Sequence, residues 1–223
     1  MKHAPVSQEG LKLIACVTMF IDHVGAVFFP HHLWLRVIGR LAFPIYCFLL
    51  AEGAHYTKNP MKYALRLFAG LLLAEIPFDL ALYGNLSWAH QSVMFTLLLA
   101  FLMAMVMRKL PLIGKVLVVI PFYFAAELLH TDYGGLGIIM AAVFLISREL
   151  PEKTLFQATG LALVNLAYFS TSFIQPAAVA AMIPIRLYSG KKATRSKLLQ
   201  WAFYLFYPAH LLILWLLREN MSF

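Results

Sequence analysis

The amino-acid sequence predicts an all-α, polytopic integral membrane helix bundle of about nine transmembrane helices with its N-terminus in the cytoplasm. Three observations predict it. Hydrophobic residues make up 62% of the 223 residues and charged residues only 13%, where a soluble domain is nearer half apolar and a quarter charged. The apolar residues fall into runs long enough to cross a bilayer. Lys and Arg gather in every second break between those runs, the distribution that orients membrane helices. With a mean hydropathy of +0.78, lipid must solvate part of the surface.

The apolar runs give spans at 10–29, 33–52, 62–83, 91–108, 112–130, 133–149, 154–170, 173–187 and 199–218. A helix needs about 20 residues to cross about 30 Å of hydrocarbon. The seventh and eighth runs are short, so they read as tilted, half-inserted or paired as a re-entrant hairpin. The run from Leu11 to Phe29 is too long for a signal-peptide core and no small-residue cleavage site follows it, so it is kept as the first span. No repeat or composition shift divides the chain, and residues 1–223 read as a single domain.

The charge pattern tests this partition. Of the 18 Lys and Arg, all but Arg36, Arg40 and Arg218 fall in segments that nine crossings put on the cytoplasmic side. The formal net charge of +8 is therefore read as topology, and nucleic acid is not expected as a partner. Cys16 and Cys47 both lie inside spans and read as small buried hydrophobes. No metal-ligand spacing is present.

Charged groups at membrane depth cost several kcal/mol each unless paired or hydrated, and they mark function by default. The first span carries Asp22 and His23, the second Arg36 and Arg40, the third Glu75 and Asp79, the fifth Glu127 and His130, and the ninth Tyr207 and His210. Counted from the outer ends of their spans, His23, Arg40, Glu75, Asp79 and His210 sit roughly 6–12 Å deep at about 1.5 Å per residue. Four helices thus bring acid, base and cation to one layer. Plainer roles compete: Arg36 snorkelling to the interface, Arg40 in an interhelical ion pair with Glu75 or Asp79, His210 as a satisfied core histidine. His31, His32, His55 and His90 fall in loops or at helix edges and read as solvated.

Asp22 and His23 are neighbours, so on a helix they point about 100° apart. Glu75 or Asp79, from another helix, suits the imidazole of His23 better, in the usual arrangement of a general base. Lys12 and His23 lie eleven residues apart, about three turns, on one helix face and about 16 Å apart along the axis. A long ligand with an anionic head spans that distance.

The segments LKLIACVTMFIDHVGAVFFP, RVIGRLAFPIYCFLLAEG and YALRLFAGLLLAEIPFDLALYG resemble the first third of the TraX family. QSVMFTLLLA, TDYGGLGIIM and KLLQWAFYLFYPAHLLIL resemble its later motifs, and the stretch 150–190 carries little of the resemblance. TraX proteins are linked to N-terminal acetylation of conjugative pilin and are distantly similar to the type 3 membrane acyltransferases and to heparan glucosaminide acetyltransferase. Type 3 enzymes carry an Arg, ten residues and a His on the first span; Lys12 and His23 have that spacing here, with Lys for Arg. Glu52-Gly53 stands where Ser-Gly is common.

The resemblance implies a bacterial inner (cytoplasmic) membrane acyltransferase that takes acetyl from cytoplasmic acetyl-CoA. The acceptor is an amine or hydroxyl at the membrane or far side: a pilin-like peptide, a glycan, a lipid or a small amine. Its expected catalytic residues are His23, as general base or acyl carrier, with Asp22, Glu75 and Asp79, and Arg40 organising the carboxylate or the oxyanion. Tyr207, His210, Asp132, Tyr133 and Gly134 are expected to bind the acceptor, and Lys12, Lys58, Lys62 and Arg66 the donor's phosphates. The competing readings are a proton-coupled transporter or lipid-handling protein using the same buried ions, and an assembly factor in which they only hold helices together.

Overall fold

A computed structural model describes residues 5–170, 172–191 and 196–221. Lys2, Lys192 and Arg195, counted above among the inner cations, lie outside them. Ten α-helices follow in order: α1 (Gln8–Phe28), α2 (Leu33–Gly39), α3 (Ala42–Tyr56), α4 (Pro60–Leu82), α5 (Val93–Met107), α6 (Leu112–Leu128), α7 (Gly134–Ser147), α8 (Lys153–Ala167), α9 (Met182–Arg186) and α10 (Lys197–Asn220). Short 3-10 segments cover Tyr168–Ser170 and Gln175–Ala181. Among the described residues no strand longer than an isolated bridge forms.

Local chemistry sets several ends. The Ser7 hydroxyl accepts from the Gly10 N–H at 3.1 Å and starts α1. Asn59 does the same for Lys62 at 2.9 Å, with Pro60 at the first helical position of α4. The second span departs from the single helix expected over 33–52. It is α2 and α3 in sequence, broken at Arg40–Leu41. Pro44 cannot donate to the carbonyl of Arg40, four residues back, and its ring crowds that carbonyl. The two pieces still make one apolar segment of 24 residues, Leu33–Tyr56.

The run 173–187 departs further. It is 3-10 for Gln175–Ala181 and α-helical only over Met182–Arg186. Pro176 and Pro184 each remove a backbone donor from the ladder. The 3-10 rise of about 2.0 Å per residue against about 1.5 Å for an α-helix lets these twelve residues reach roughly 21 Å. They run from beside Arg40, which donates to Gln175 at 3.2 Å, to the N-terminus, where the Val6 N–H donates to the Leu187 carbonyl at 3.0 Å.

α10 packs along α4 and α1; α3, α5 and α7 form the interior; α8 and the 3-10 segment close the side by α2. The core includes Phe78, Phe101, Phe144, Ile45 and Met103. Large apolar side chains also cover the outside, among them Leu72, Ile76, Ile113, Leu117, Ile120, Leu163 and Ile213. A soluble surface does not carry such a continuous apolar coat. Three segments, Gln8–Phe28, Leu33–Tyr56 and Trp201–Asn220, are long and apolar enough to cross a bilayer. The chain is an all-helical membrane protein.

Glycines permit the tightest approaches. A Cβ on Gly39 would lie 2.0 Å from Asp22 Oδ1, and one on Gly53 2.7 Å from the Tyr63 hydroxyl. Gly39→Ala is expected to cost about 1–3 kcal/mol by overpacking, read as a lowered melting temperature in detergent. Gly10→Ala, whose Cβ would meet nothing nearer than 3.4 Å, is expected to leave it unchanged or raise it.

Candidate functional site

Two cavities adjoin inside the bundle. The larger, about 540 Å³, lies toward the end that carries the N-terminus. Lys12, Arg66, Glu9 and Glu52 bring charge to its wall, and Tyr56, Tyr63, Tyr188, Phe203, Tyr204 and Tyr207 bring rings. The smaller, about 90 Å³, lies toward the opposite end and is lined by Asp22, His23, Arg36, Arg40, Asp132 and Tyr133 among apolar neighbours. Met19, Tyr46 and Val93 line both. On α1 the residues Lys12, Cys16, Met19 and His23 recur at helical spacing, so one face of that helix runs from the first cavity into the second.

Asp22 is the electrostatic centre of the smaller cavity. Its Oδ2 pairs with Arg36 Nη1 and its Oδ1 with Arg40 Nη2, both at 2.7 Å. The Asp22 side chain is 9% exposed, against 29% for Arg36 and 13% for Arg40. Arg36, half-buried, pairs with Asp22 while keeping part of its side chain exposed, and the partner of Arg40 is Asp22, where Glu75 or Asp79 was one reading. Arg40 also donates through Nε to the Arg36 carbonyl at 3.2 Å.

His23 meets another histidine. Its Nδ1 lies 2.7 Å from His210 Nε2, and His210 Nδ1 lies 2.7 Å from the Phe206 carbonyl. The carbonyl can only accept, so His210 carries its hydrogen on Nδ1 and presents a lone pair at Nε2. His23 then donates from Nδ1, which leaves Nε2 as its basic nitrogen. The rings of His23 and His210 stack at 5.0 Å, and Phe206 stacks on His210 at 4.8 Å.

Glu75 and Asp79 do not take the place expected beside His23. Glu75 accepts from the Ser92 N–H at 3.1 and 3.3 Å, and Asp79 accepts from the Ser87 N–H at 2.9 Å. Both face the loop between α4 and α5, where a carboxylate meets the unpaired N–H groups and positive dipole of the start of α5. Tyr207 lies in the wall of the larger cavity, its ring 6.1 Å from His23. Gly134 lines neither cavity; it has φ +50° and a Cβ there would lie 2.8 Å from Glu127 Oε1. Lys58, in the turn before α4, and Lys62, in its first turn, are exposed and line neither cavity.

Asp132 and Tyr133 do line the smaller cavity. Tyr133 stacks on Phe43 at 3.7 Å. Asp132 is exposed at the cavity mouth yet closely surrounded by protein. Poorer hydration pushes its carboxyl up to about 6, against the pull of Arg40. Glu127, noted above only as a buried acid, accepts from the Gly135 N–H at 2.7 Å and holds the start of α7. Arg148 pairs with Glu52 at the larger cavity and lies 5.5 Å over the Tyr56 ring. Lys12 lies 5.3 Å over Phe203, and Arg66 lies between Tyr63 and Tyr204 at 5.4 and 5.9 Å.

These features define an integral membrane helix bundle with a charged and histidine-bearing centre reached from two adjoining cavities. The family model described as TraX protein matches residues 7–218, and the chain belongs to that family. It is 32% identical to the "Probable fimbrial assembly protein FimC, serogroup H1" of Dichelobacter nodosus over 92% of both chains. It is 24% identical to "Protein TraX" of Escherichia coli over 95% of this chain and 87% of that one. No solved structure matches it.

Asp22→Ala leaves two guanidiniums without their shared counter-ion. Breaking a buried pair from one side costs about 3–5 kcal/mol, so the variant is expected to melt well below wild type in detergent. Asp22→Ala with Arg36→Leu is expected to recover part of that loss.

Proposed function

We propose that the protein is a membrane acetyltransferase of the bacterial inner membrane. In this reading it crosses the bilayer nine times from a cytoplasmic N-terminus. It transfers acetyl from cytoplasmic acetyl-CoA to an amine or hydroxyl at the membrane or extracytoplasmic side. The observation that carries the reading is the pair of adjoining cavities, with Met19 and Tyr46 shared between them, Lys12 at one end of the α1 face and His23 at the other.

The topology rests on charge and packing. Arg218 on α10 donates to the Leu80 and Ala81 carbonyls at the end of α4, at 2.9 and 3.0 Å, so those two helices run parallel. Arg108 reaches the carbonyl of His55 at 3.2 Å and Lys115 pairs with Glu149, so basic residues collect at the end where Val6 meets Leu187. That end is assigned to the cytoplasm.

The larger cavity is of a size common for ligands, roughly 300–1,000 Å³. Lys12 and Arg66 supply cations for the donor's phosphates, and the aromatic wall supplies ring faces. Glu52, also in that wall, is neutralised by Arg148. The thioester end would pass Met19 and Tyr46 to reach His23. His23 Nε2 takes the proton as the acceptor nitrogen or oxygen bonds to the carbonyl carbon. The carbon–sulfur bond then breaks, and the proton passes to the departing thiolate. The positive charge gained by His23 is shared through Nδ1 with His210. Arg40, held in place beside the cavity, stabilises the oxyanion. The fimbrial-assembly name of the Dichelobacter nodosus relative favours a pilin-like peptide among the possible acceptors.

Purified protein in detergent is expected to bind acetyl-CoA and to release free thiol from it when an acceptor amine is supplied. His23→Ala is expected to lower turnover by about 10²–10⁴-fold with melting and donor binding retained. His210→Phe, which keeps a stacked ring but removes the acceptor for His23, is expected to lower it as well. Unchanged turnover in His23→Ala would remove the histidine from the mechanism, and a wild-type protein that binds no acetyl-CoA would favour the transporter reading.

A further inference from the structure

Arg40 is gripped on three sides. Nη2 donates to Asp22 and Nε to the Arg36 carbonyl, both described above; Nη1 donates to Gln175 Oε1 at 3.2 Å. The third grip continues. Gln175 Nε2 donates to Asn165 Oδ1 at 3.1 Å, and Asn165 Nδ2 donates to the Leu161 carbonyl at 2.7 Å. Gln175 is 2% exposed and Asn165 is fully buried.

The chain has one polarity. The Leu161 carbonyl can only accept, so Asn165 must turn its amide nitrogen toward it and its oxygen toward Gln175. Gln175 must then present its nitrogen to Asn165 and its oxygen to Arg40. A flipped amide at either position would set donor against donor at Arg40 or acceptor against acceptor at Leu161. The 3-10 segment makes the reach possible, because Gln175 is its first residue and lies directly between α8 and α2.

We propose that Gln175 and Asn165 are positioning residues that hold the Arg40 guanidinium at the smaller cavity. They do this through a directed amide relay anchored on the Leu161 carbonyl. Arg40 has its other two grips on α1 and α2, which neighbour it directly, so the relay is what ties it to α8 on the far side. The catalytic part of this proposal rests on the acetyltransferase reading; the relay itself does not.

The two are tested separately. Protein in detergent is treated with phenylglyoxal, which modifies guanidinium groups, and peptide mass spectrometry gives the ratio of Arg40 to Arg36 modification. Gln175→Met and Asn165→Leu break the relay from different ends and are expected to raise that ratio several-fold. Gln175→Glu, which keeps an acceptor for Arg40, is expected to leave it low. Acetyl transfer is then measured on the same variants. Gln175→Met is expected to lose about 10²-fold in kcat, the scale of an ångström misplacement, with KM for acetyl-CoA unchanged and with partial recovery in Gln175→Glu. An unchanged modification ratio in both Gln175→Met and Asn165→Leu overturns the relay. A raised ratio with kcat unaffected supports the relay and overturns its part in catalysis. A raised ratio in a protein whose wild type transfers no acetyl supports the relay and overturns the acetyltransferase.

Discussion

The double ion pair on Asp22 is the constraint around which the rest of the site is arranged. A lone carboxylate or guanidinium at membrane depth costs several kcal/mol, and three such groups on α1 and α2 are tolerable only together. Asp22 divides its two oxygens between Arg36 and Arg40. To do so α1 and α2 must approach until Gly39 has no room for a side chain. The helix must also end at Arg40, where Pro44 leaves a carbonyl without its donor. One excess positive charge remains beside the cavity after the pairing, and Asp132 faces it from the turn before α7.

His23 obeys a different constraint on the same helix. The angular step between neighbours sends it toward α10 while Asp22 faces α2. There it joins a chain of donors and acceptors whose sense is set by a carbonyl, that of Phe206. Arg40 is reached by a second chain whose sense is set by another carbonyl, that of Leu161. In both cases a backbone group with no choice of role decides what a side chain several ångströms away can do. His23 and Arg40 are thus each oriented in part by polar groups that do not line the cavity, His210 for the one and Gln175 for the other.

The helices and the charge asymmetry were legible in the sequence because both depend on composition along the chain. Proximity was legible in part: residue counts put His23, Arg40 and His210 at similar levels of their helices, and in the structure His23 and Arg40 line one cavity with His210 behind. Partners were less so. Position along a helix gives depth, but which neighbour a side chain meets depends on how helices are arranged around it. Glu75 and Asp79 have the right depth and still turn toward the loop before α5. The stretch from 150 to 190 hid most. Asn165 and Gln175 stand there as single polar residues in an apolar run, without charge to draw attention and outside the strongest family resemblance. The 3-10 geometry that brings Gln175 to Arg40 has no distinct periodic pattern, and Pro176 and Pro184 were its only visible trace.

α10 contributes to both compartments. Phe203, Tyr204 and Tyr207 stand in the wall of the larger one, and His210 supports the histidine of the smaller one. Pro208 lies between these two sets, inside the helix. It cannot donate to the carbonyl of Tyr204, so the ladder is interrupted at that point. α10 thus carries the aromatic wall of the larger compartment and the support for the histidine of the smaller one on either side of one missing ladder hydrogen bond.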